Sequence, residues 1–300
     1  MKTVSVIITS YNQKELLQEA IESVLAQSCE LFEILICDDA SQDGSPELVR
    51  QYEKKYPGLV KGVFHGKNLG ISRNRNSGLQ AAQGELVAWL DGDDTFQPGK
   101  IEREVAKYDS NEEIKWVYSQ VVEYDPEKNI SNFRYNQAPE GRILKKVISM
   151  FGRAPRNPLV ELTSLRRIGF FDNNLEMYED FDLCLRLAKS FKCGYCAESG
   201  MNYRVHAGGI HNASISRHVF NIDKLIEKID VVFAGESPAM AKAMVRQLLF
   251  SKNFLLMKLM AGKGQFFRVV GHFFAMLKLK PFSFETYLKT AKILTLVNRV

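Results

Sequence analysis

The residues best placed to do chemistry are three carboxylates within four positions, Asp91, Asp93 and Asp94, at the end of the apolar run Leu86–Leu90. Carboxylates this close repel one another, and a cation relieves the repulsion. Magnesium and similar hard ions take oxygen ligands, typically one or two carboxylates with substrate phosphates in the remaining positions. The spacing therefore reads as an Asp-x-Asp metal site presenting a diphosphate. Asp and Gly are also ordinary turn residues, so the short motif alone leaves an acidic turn equally open. A second acidic group, Tyr178-Glu179-Asp180-Phe181-Asp182, opens a helical pattern with apolar residues at Phe181, Leu185 and Ala188. Acidic side chains in a first helical turn commonly complement the helix dipole. A third group, Asp38, Asp39 and Asp43, lies in a turn-rich loop where Asx turns are the plain alternative.

The elements that would position these groups follow from periodicity. Val4–Thr9 is a β-branched run and reads as a buried strand, with Ser10-Tyr11-Asn12 as the loop after it. Leu31–Cys37, Val60–His65 and Leu86–Leu90 read as further strands, the last bounded by Gly84 and Gly92. Between them, Glu15–Ala26, Pro46–Tyr56 (with Ser45 as N-cap) and Ser72–Ala82 show helical spacing, and Pro98–Tyr108 follows as another helix. Alternation of strand and helix with short connections predicts an α/β fold, a mostly parallel sheet with helices on both faces. Ligands of such sheets bind at the carboxyl ends of the strands. Residues 10–12, 38–44 and 91–94 then share one rim. No G-x-G-x-x-G follows the first strand and no Walker loop occurs, which disfavours dinucleotide and P-loop chemistry. Beyond Asn111 the pattern loosens. Ile114–Tyr124 reads as a strand, and Ile130–Pro158 is irregular, with Arg134, Arg142, Arg153 and Arg156 scattered through it.

Three hundred residues, 45% hydrophobic and 25% charged, describe a globular chain with room for one large domain and an appendage. The apolar run near Met1 is too short for a signal-peptide core. No uninterrupted apolar segment reaches about 18 residues, so no membrane span is expected. Five cysteines, few and odd in number, favour a reducing, cytoplasmic setting. Cys193 and Cys196 have redox spacing, but they fall in a strand-like stretch after a helix, so ordinary buried thiols are expected. The net charge of +5 is uneven: residues 221–300 hold 13 basic and five acidic side chains, and 241–300 hold 11 basic and one acidic, Glu285. Lys and Arg interleaved with Leu248, Phe250, Phe254, Phe267 and Phe274 suit an anchor at an anionic membrane surface. A helical bundle with a solvated basic face suits them as well. Nucleic acid has only the charge in its favour and is not expected.

Taken in chain order, VSVIITSYNQ, ICDDASQDGS, NLGISRNRNSGLQAAQGELVAWLDGDD and MYEDFDLCLRLA resemble a family 2 glycosyltransferase with the GT-A fold, over about Lys2–Ile215. The resemblance implies a nucleotide-diphosphate-sugar donor, with UDP favoured, a divalent metal (Mn²⁺ or Mg²⁺), and inversion at the anomeric carbon. Carried over by motif, Thr9, Tyr11 and Asn12 begin the nucleotide pocket, with Tyr11 flanking the base. Asp39 accepts a hydrogen bond from a uracil-type ring. Asn68 and the helix start at Arg73–Asn76 match the next motif, with Arg73 or Arg75 on the pyrophosphate, where a guanidinium fork suits phosphate oxygens. Asp91 and Asp93 match the metal motif, Asp93 as the direct ligand, and Asp94 holds a ribose hydroxyl or a metal-bound water. His206 or Arg204 reaches the metal or diphosphate, and the glycine-rich spacer 208–213 is expected to serve as a lid. Asp180 is the general base, with Asp182 in a supporting place.

The expected organisation is a catalytic domain over 1–220, with a nucleotide-sugar half (1–110) and an acceptor half (111–220), followed by a basic amphipathic helical region at 221–300. The expected activity is sugar transfer to a saccharide or lipid-linked saccharide in bacterial surface-polysaccharide synthesis, in the cytoplasm or peripherally at the inner face of the cell membrane. Two alternatives remain. A non-catalytic sugar-nucleotide binder or scaffold would have no use for a base at Asp180. A nucleotidyltransferase would carry a glycine-rich nucleotide loop near the amino terminus, which this chain lacks.

Overall fold

In the computed structural model, the described residues are 2–135, 138–151, 153–206, 214–235, 238–263 and 265–279. The elements of the first half, in order, are β1 (Val4–Ser10), α1 (Lys14–Leu25), β2 (Glu33–Asp38), α2 (Ser45–Lys55), β3 (Val60–Phe64), α3 (Ile71–Ala81), β4 (Leu86–Asp91), β5 (Thr95–Phe96) and α4 (Lys100–Asp109). Then come β6 (Ile114–Asp125), β7 (Ile130–Phe133), α5 (Leu144–Ser149), β8 (Leu159–Glu161), α6 (Leu162–Ile168), α7 (Glu179–Ser190) and β9 (Lys192–Arg204). The chain continues with α8 (Ile215–Val232), α9 (Pro238–Ala261) and α10 (Phe266–Leu279).

β1, β2 and β4 are buried at every position, as their apolar, β-branched runs require of central parallel strands. Among the described residues, one nine-stranded mixed sheet runs β3-β2-β1-β4-β8-β6-β9-β5, with β7 on the side of β6. β1 pairs in parallel with β2 and β4, and β2 with β3. β8 joins β4 and β6 antiparallel, so the sheet changes character where the sequence pattern loosened. Register places Thr9 beside both Cys37 and Asp91, and Ser10 beside Asp38, so three strands end at one level. α3 lies close on this sheet because Gly78 has no side chain: a Cβ there would stand 2.6 Å from Ile7 Cγ2 and 2.8 Å from Cys37 Sγ.

One helix start differs from expectation. The N-cap of α2 is Gly44, not Ser45, because the chain enters through a left-handed turn (φ 87°) that glycine adopts without strain. Ser45 is the first helical residue, and its hydroxyl donates to Asp43 Oδ1 at 2.7 Å. Cys193 and Cys196 lie on β9 as free thiols. Burial pushes the first up to about 12 and the second to about 11, so both stay protonated and unreactive.

The chain divides into two compact units, Met1–Leu144 with Arg153–Gly209, and Lys145–Gly152 with Ile210–Val300. The first contains the sheet. In the second, α8, α9 and α10 form a helical group with a core of Leu256, Met257, Met260, Val269 and Met276. No helix among the described residues is long and apolar enough to cross a membrane.

Candidate active site

At the carboxyl end of β4, Asp91 is only 9% exposed, and a buried carboxylate must be paired. Arg75, from the first turns of α3 and 3% exposed, donates to Asp91 Oδ1 from Nη2 (2.5 Å) and Nε (3.2 Å). Its Nη1 donates to Glu179 Oε1 at 2.6 Å, reaching the first residue of α7, 104 positions away. Arg156, from the irregular stretch before β8, takes the other Asp91 oxygen, with Nη2 3.3 Å from Oδ2. Burial works to raise the Asp91 pKa, but the Arg75 and Arg156 guanidiniums outweigh it and hold the carboxyl below its ordinary value. For Glu179 burial prevails over Arg75, and its pKa is raised.

The turn after Asp91 is fixed from below. Gly92 N–H donates to the Thr9 carbonyl at 2.8 Å, and a Cβ on Gly92 would come within 2.7 Å of that oxygen and 2.5 Å of Gln13 Nε2. Asp94 is 1% exposed: Oδ1 accepts the Arg204 amide at 2.8 Å, and Oδ2 is buried without a hydrogen bond. Burial, then the nearby Asp93 charge, pushes its pKa well up. Asp93 remains partly open, and its Oδ2 is 3.0 Å from His206 Nε2. Arg204 Nε donates to the Asp93 carbonyl at 3.1 Å while its guanidinium pairs with Glu19, so the end of β9 is laid across the acidic turn.

The neighbouring rim is held by main chain. Asp39 accepts the amides of Leu69 (2.8 Å) and Gly70 (2.9 Å), and Gly70 also donates to Asn68 Oδ1. Asp38 accepts the Ser41 amide, while its Oδ2 and the hydroxyl of Ser10 are buried without partners. Asn12, at φ 51°, donates its amide to Ser41 Oγ and accepts the Gln42 amide. Tyr11 is 48% exposed and Arg73 is also exposed at this rim.

Asp180 is partly exposed in the first turn of α7, directly after Glu179, and its Oδ1 accepts the Phe181 amide at 2.7 Å. Asp182 is fully buried and pairs with Arg186 at 2.7 Å; that arginine also donates to the carbonyls of Ile168, Gly169 and Phe170. The structure thus brings Thr9, Arg75 and Asp91 together, and separately Asp93 with His206. Arg75, expected on the pyrophosphate, lies buried between Asp91 and Glu179, and Asp91, expected on the metal, is paired with Arg75 and Arg156. Sequence reasoning missed Glu179, passed over for its neighbour, and Arg156, which is one arginine among four in a stretch without periodicity. The lid expected over 208–213 falls outside the described residues.

Among the described residues no three His, Cys, Asp or Glu side chains converge as a ready metal cage. Asp93 and His206 do offer an oxygen and a nitrogen at one accessible point, a donor set that fits a divalent ion whose other positions are filled by diphosphate oxygens.

The family model described as Glycosyl transferase family 2 matches residues 5–168, more than half of the chain. The chain belongs to this family. It is 31% identical over 210 residues to the putative glycosyltransferase EpsE of Bacillus subtilis, covering 67% of this chain and 72% of EpsE. The uncharacterized glycosyltransferase alr2836 of Nostoc is 40% identical over 111 residues, 37% of this chain, and the chain spans about a third (34%) of that relative's length. TuaG of Bacillus subtilis, a putative teichuronic acid biosynthesis glycosyltransferase, is 39% identical over 102 residues, 34% of this chain and 40% of TuaG. Among solved structures, the S. aureus TarS complex with UDP-GlcNAc superposes with a TM-score of 0.69 at 17% identity, covering 97% of this chain and 89% of that one. The mannosyltransferase PcManGT from Pyrobaculum calidifontis, with GDP-Man and Mn²⁺, gives 0.60 at 17%, covering 99% and 86%. The shared fold is GT-A.

Proposed function

We propose that this glycosyltransferase moves a sugar, with inversion, from a nucleotide-diphosphate donor (UDP favoured) to a hydroxyl acceptor in bacterial surface-polysaccharide synthesis. One observation carries the reading: Arg75 ties Asp91, at the Asp-x-Asp turn, to Glu179, the residue beside Asp180. This tie between the acidic turn and the start of α7 supports a base at Asp180, which a pure sugar-nucleotide binder would not need. The donor class is supported by the complexes of TarS with UDP-GlcNAc and of PcManGT with GDP-Man. The acceptor class, a saccharide or lipid-linked saccharide, is supported by the name of TuaG.

Asp180 takes the proton of the acceptor hydroxyl as that oxygen attacks the anomeric carbon from the face opposite the diphosphate. The bond to the nucleotide breaks and its electron pair leaves on the diphosphate. Tyr11, Asn12, Asp39, Asn68 and Arg73 line the rim that receives the nucleotide. Asp93 and His206 would hold the divalent ion, which when bound supplies Lewis-acid stabilisation of the leaving charge. Asp180→Asn is expected to lower transfer by about 10²–10⁴-fold while leaving the donor-induced rise in melting temperature intact. Retained turnover would reject the base.

The catalytic domain is assigned to 1–220, and the region 221–300 is assigned to an anionic membrane surface on the cytoplasmic side. Residues 238–279 contain seven basic and no acidic side chains, and on α10 Phe267 and Phe274 are 90% and 57% exposed. Basic helices with exposed aromatic side chains lie in such interfaces. Co-sedimentation of the full chain with anionic liposomes, reduced in the Phe267→Ser/Phe274→Ser variant, is the expected result; equal sedimentation would reject this partner.

A further inference from the structure

Arg156 belongs to neither acidic motif, yet it closes the charge network at the rim. Its guanidinium stands 4.2 Å from the centroid of the Tyr203 ring on β9 and reaches Asp91 Oδ2. Its Nε is buried without a hydrogen bond. A buried N–H left unmade costs stability, so what holds the side chain here is the stack on Tyr203 and the carboxylate it faces. Asp91 is divided oxygen by oxygen: Oδ1 belongs to Arg75 and Oδ2 to Arg156. With Oδ2 held by Arg156, Arg75 turns its Nε–Nη2 edge to Oδ1 alone, and in that pose its Nη1 reaches Glu179.

We propose that Arg156 is a positioning residue for the transfer step, acting through Asp91 and Arg75 on the start of α7. It rests on the reading of Asp180 as the base. Without Arg156, Asp91 Oδ2 is a buried acceptor with no partner. The nearest remedy is a parallel, bidentate pairing of Asp91 with Arg75, the arrangement guanidinium and carboxylate favour. In that pairing Nε and Nη2 each take one oxygen, and the shift that centres the guanidinium on both oxygens draws Nη1 away from Glu179. Glu179 would then lose its cation while still buried, and the first turn of α7, with Asp180 on it, would lose its tie to the β4 end. A loop from the second half of the domain thus keeps the base-bearing helix in register with the acidic turn.

Steady-state kinetics on the full chain test this, using UDP-GlcNAc as donor and the acceptor that supports turnover. Arg156→Gln is expected to lower kcat by on the order of tenfold to a hundredfold, as misplacement of a reacting group does, with donor KM unchanged within about twofold. Arg156→Lys keeps a cation for Oδ2 and recovers part of kcat. In a Glu179→Gln background the tie is already broken, so Arg156→Gln adds no more than about twofold. Multiplying losses in the double variant, an unchanged kcat, or a loss confined to donor KM would each overturn the proposal. If Arg156→Gln fails to fold, the same cycle is run with Arg156→Lys and read the same way. Asp180→Asn, measured alongside, separates the outcomes: retained transfer there rejects the base itself, whatever the Arg156 variants do.

Discussion

Asp39 and Asp91 leave the same rim of the sheet, two strands apart, and are satisfied by opposite means. Asp39, past the end of β2, accepts two main-chain amides from Leu69 and Gly70. Asp91, at the end of β4, is held by Arg75 and Arg156, and through Arg75 it is joined to Glu179. The first arrangement shapes one loop at the rim of the sheet. The second joins α3, β4, the stretch before β8 and the start of α7. Local amide pairing builds a surface, whereas guanidinium bridges tie together elements far apart in the chain.

Removing the shared cation breaks the comparison most forcefully. Arg75→Met should lower unfolding free energy by about 3–5 kcal/mol, because it leaves two carboxylates buried without it. Urea denaturation measures the loss, and a change no larger than that for a surface residue would mean the pairs contribute nothing in solution. Asp39→Ala should lose less, about 1–3 kcal/mol for orphaned amides. It should speed amide exchange at Leu69 and Gly70 while leaving Glu179 protected. Equal losses for both variants would erase the distinction drawn here.

The smallest effect concerns acid. Glu161 is lowered to about 2, burial opposing it while Ser164, Tyr108 and Lys115 overcome it by hydrogen bonding and charge. A depressed carboxyl adds stability that is complete above its unfolded value and is lost as pH falls through the folded one, so the loss spans pH 4.5 to about 2. Asp91 adds to it in the same direction. Glu179, being raised, acts the other way, and its burden lifts as acid protonates it. Lys115→Met should make the acid limb of the melting temperature shallower, and an unaltered limb would remove Lys115 from it.

Much of the first 110 residues was legible because their signals are local. β-branched runs, helical spacing and strand-end turns placed the elements of residues 4–109 closely, and where Ser45 was misjudged the reason was a left-handed glycine that periodicity does not register. The motifs also single out Asp91, Asp93 and Asp180 as candidates. Their partners were not legible. Glu179 looked like dipole compensation, and only the fold shows it across from Arg75. Arg156 lies in a stretch whose conformation is set by what it packs on, Tyr203 and Asp91, and nothing near it in the chain announces either. His206 is a candidate through resemblance alone, and its contact with Asp93 depends on β9 returning over the turn.

Gly92 leaves one further mark. Since the Thr9 carbonyl lies directly beneath it, the separation of the two acidic groups on either side is dictated by backbone and admits no adjustment from a larger side chain there. A randomised library at that position should return glycine alone. Redesign of this turn has to proceed from the flanks, through His206 or Arg204, because the floor between them cannot be remodelled.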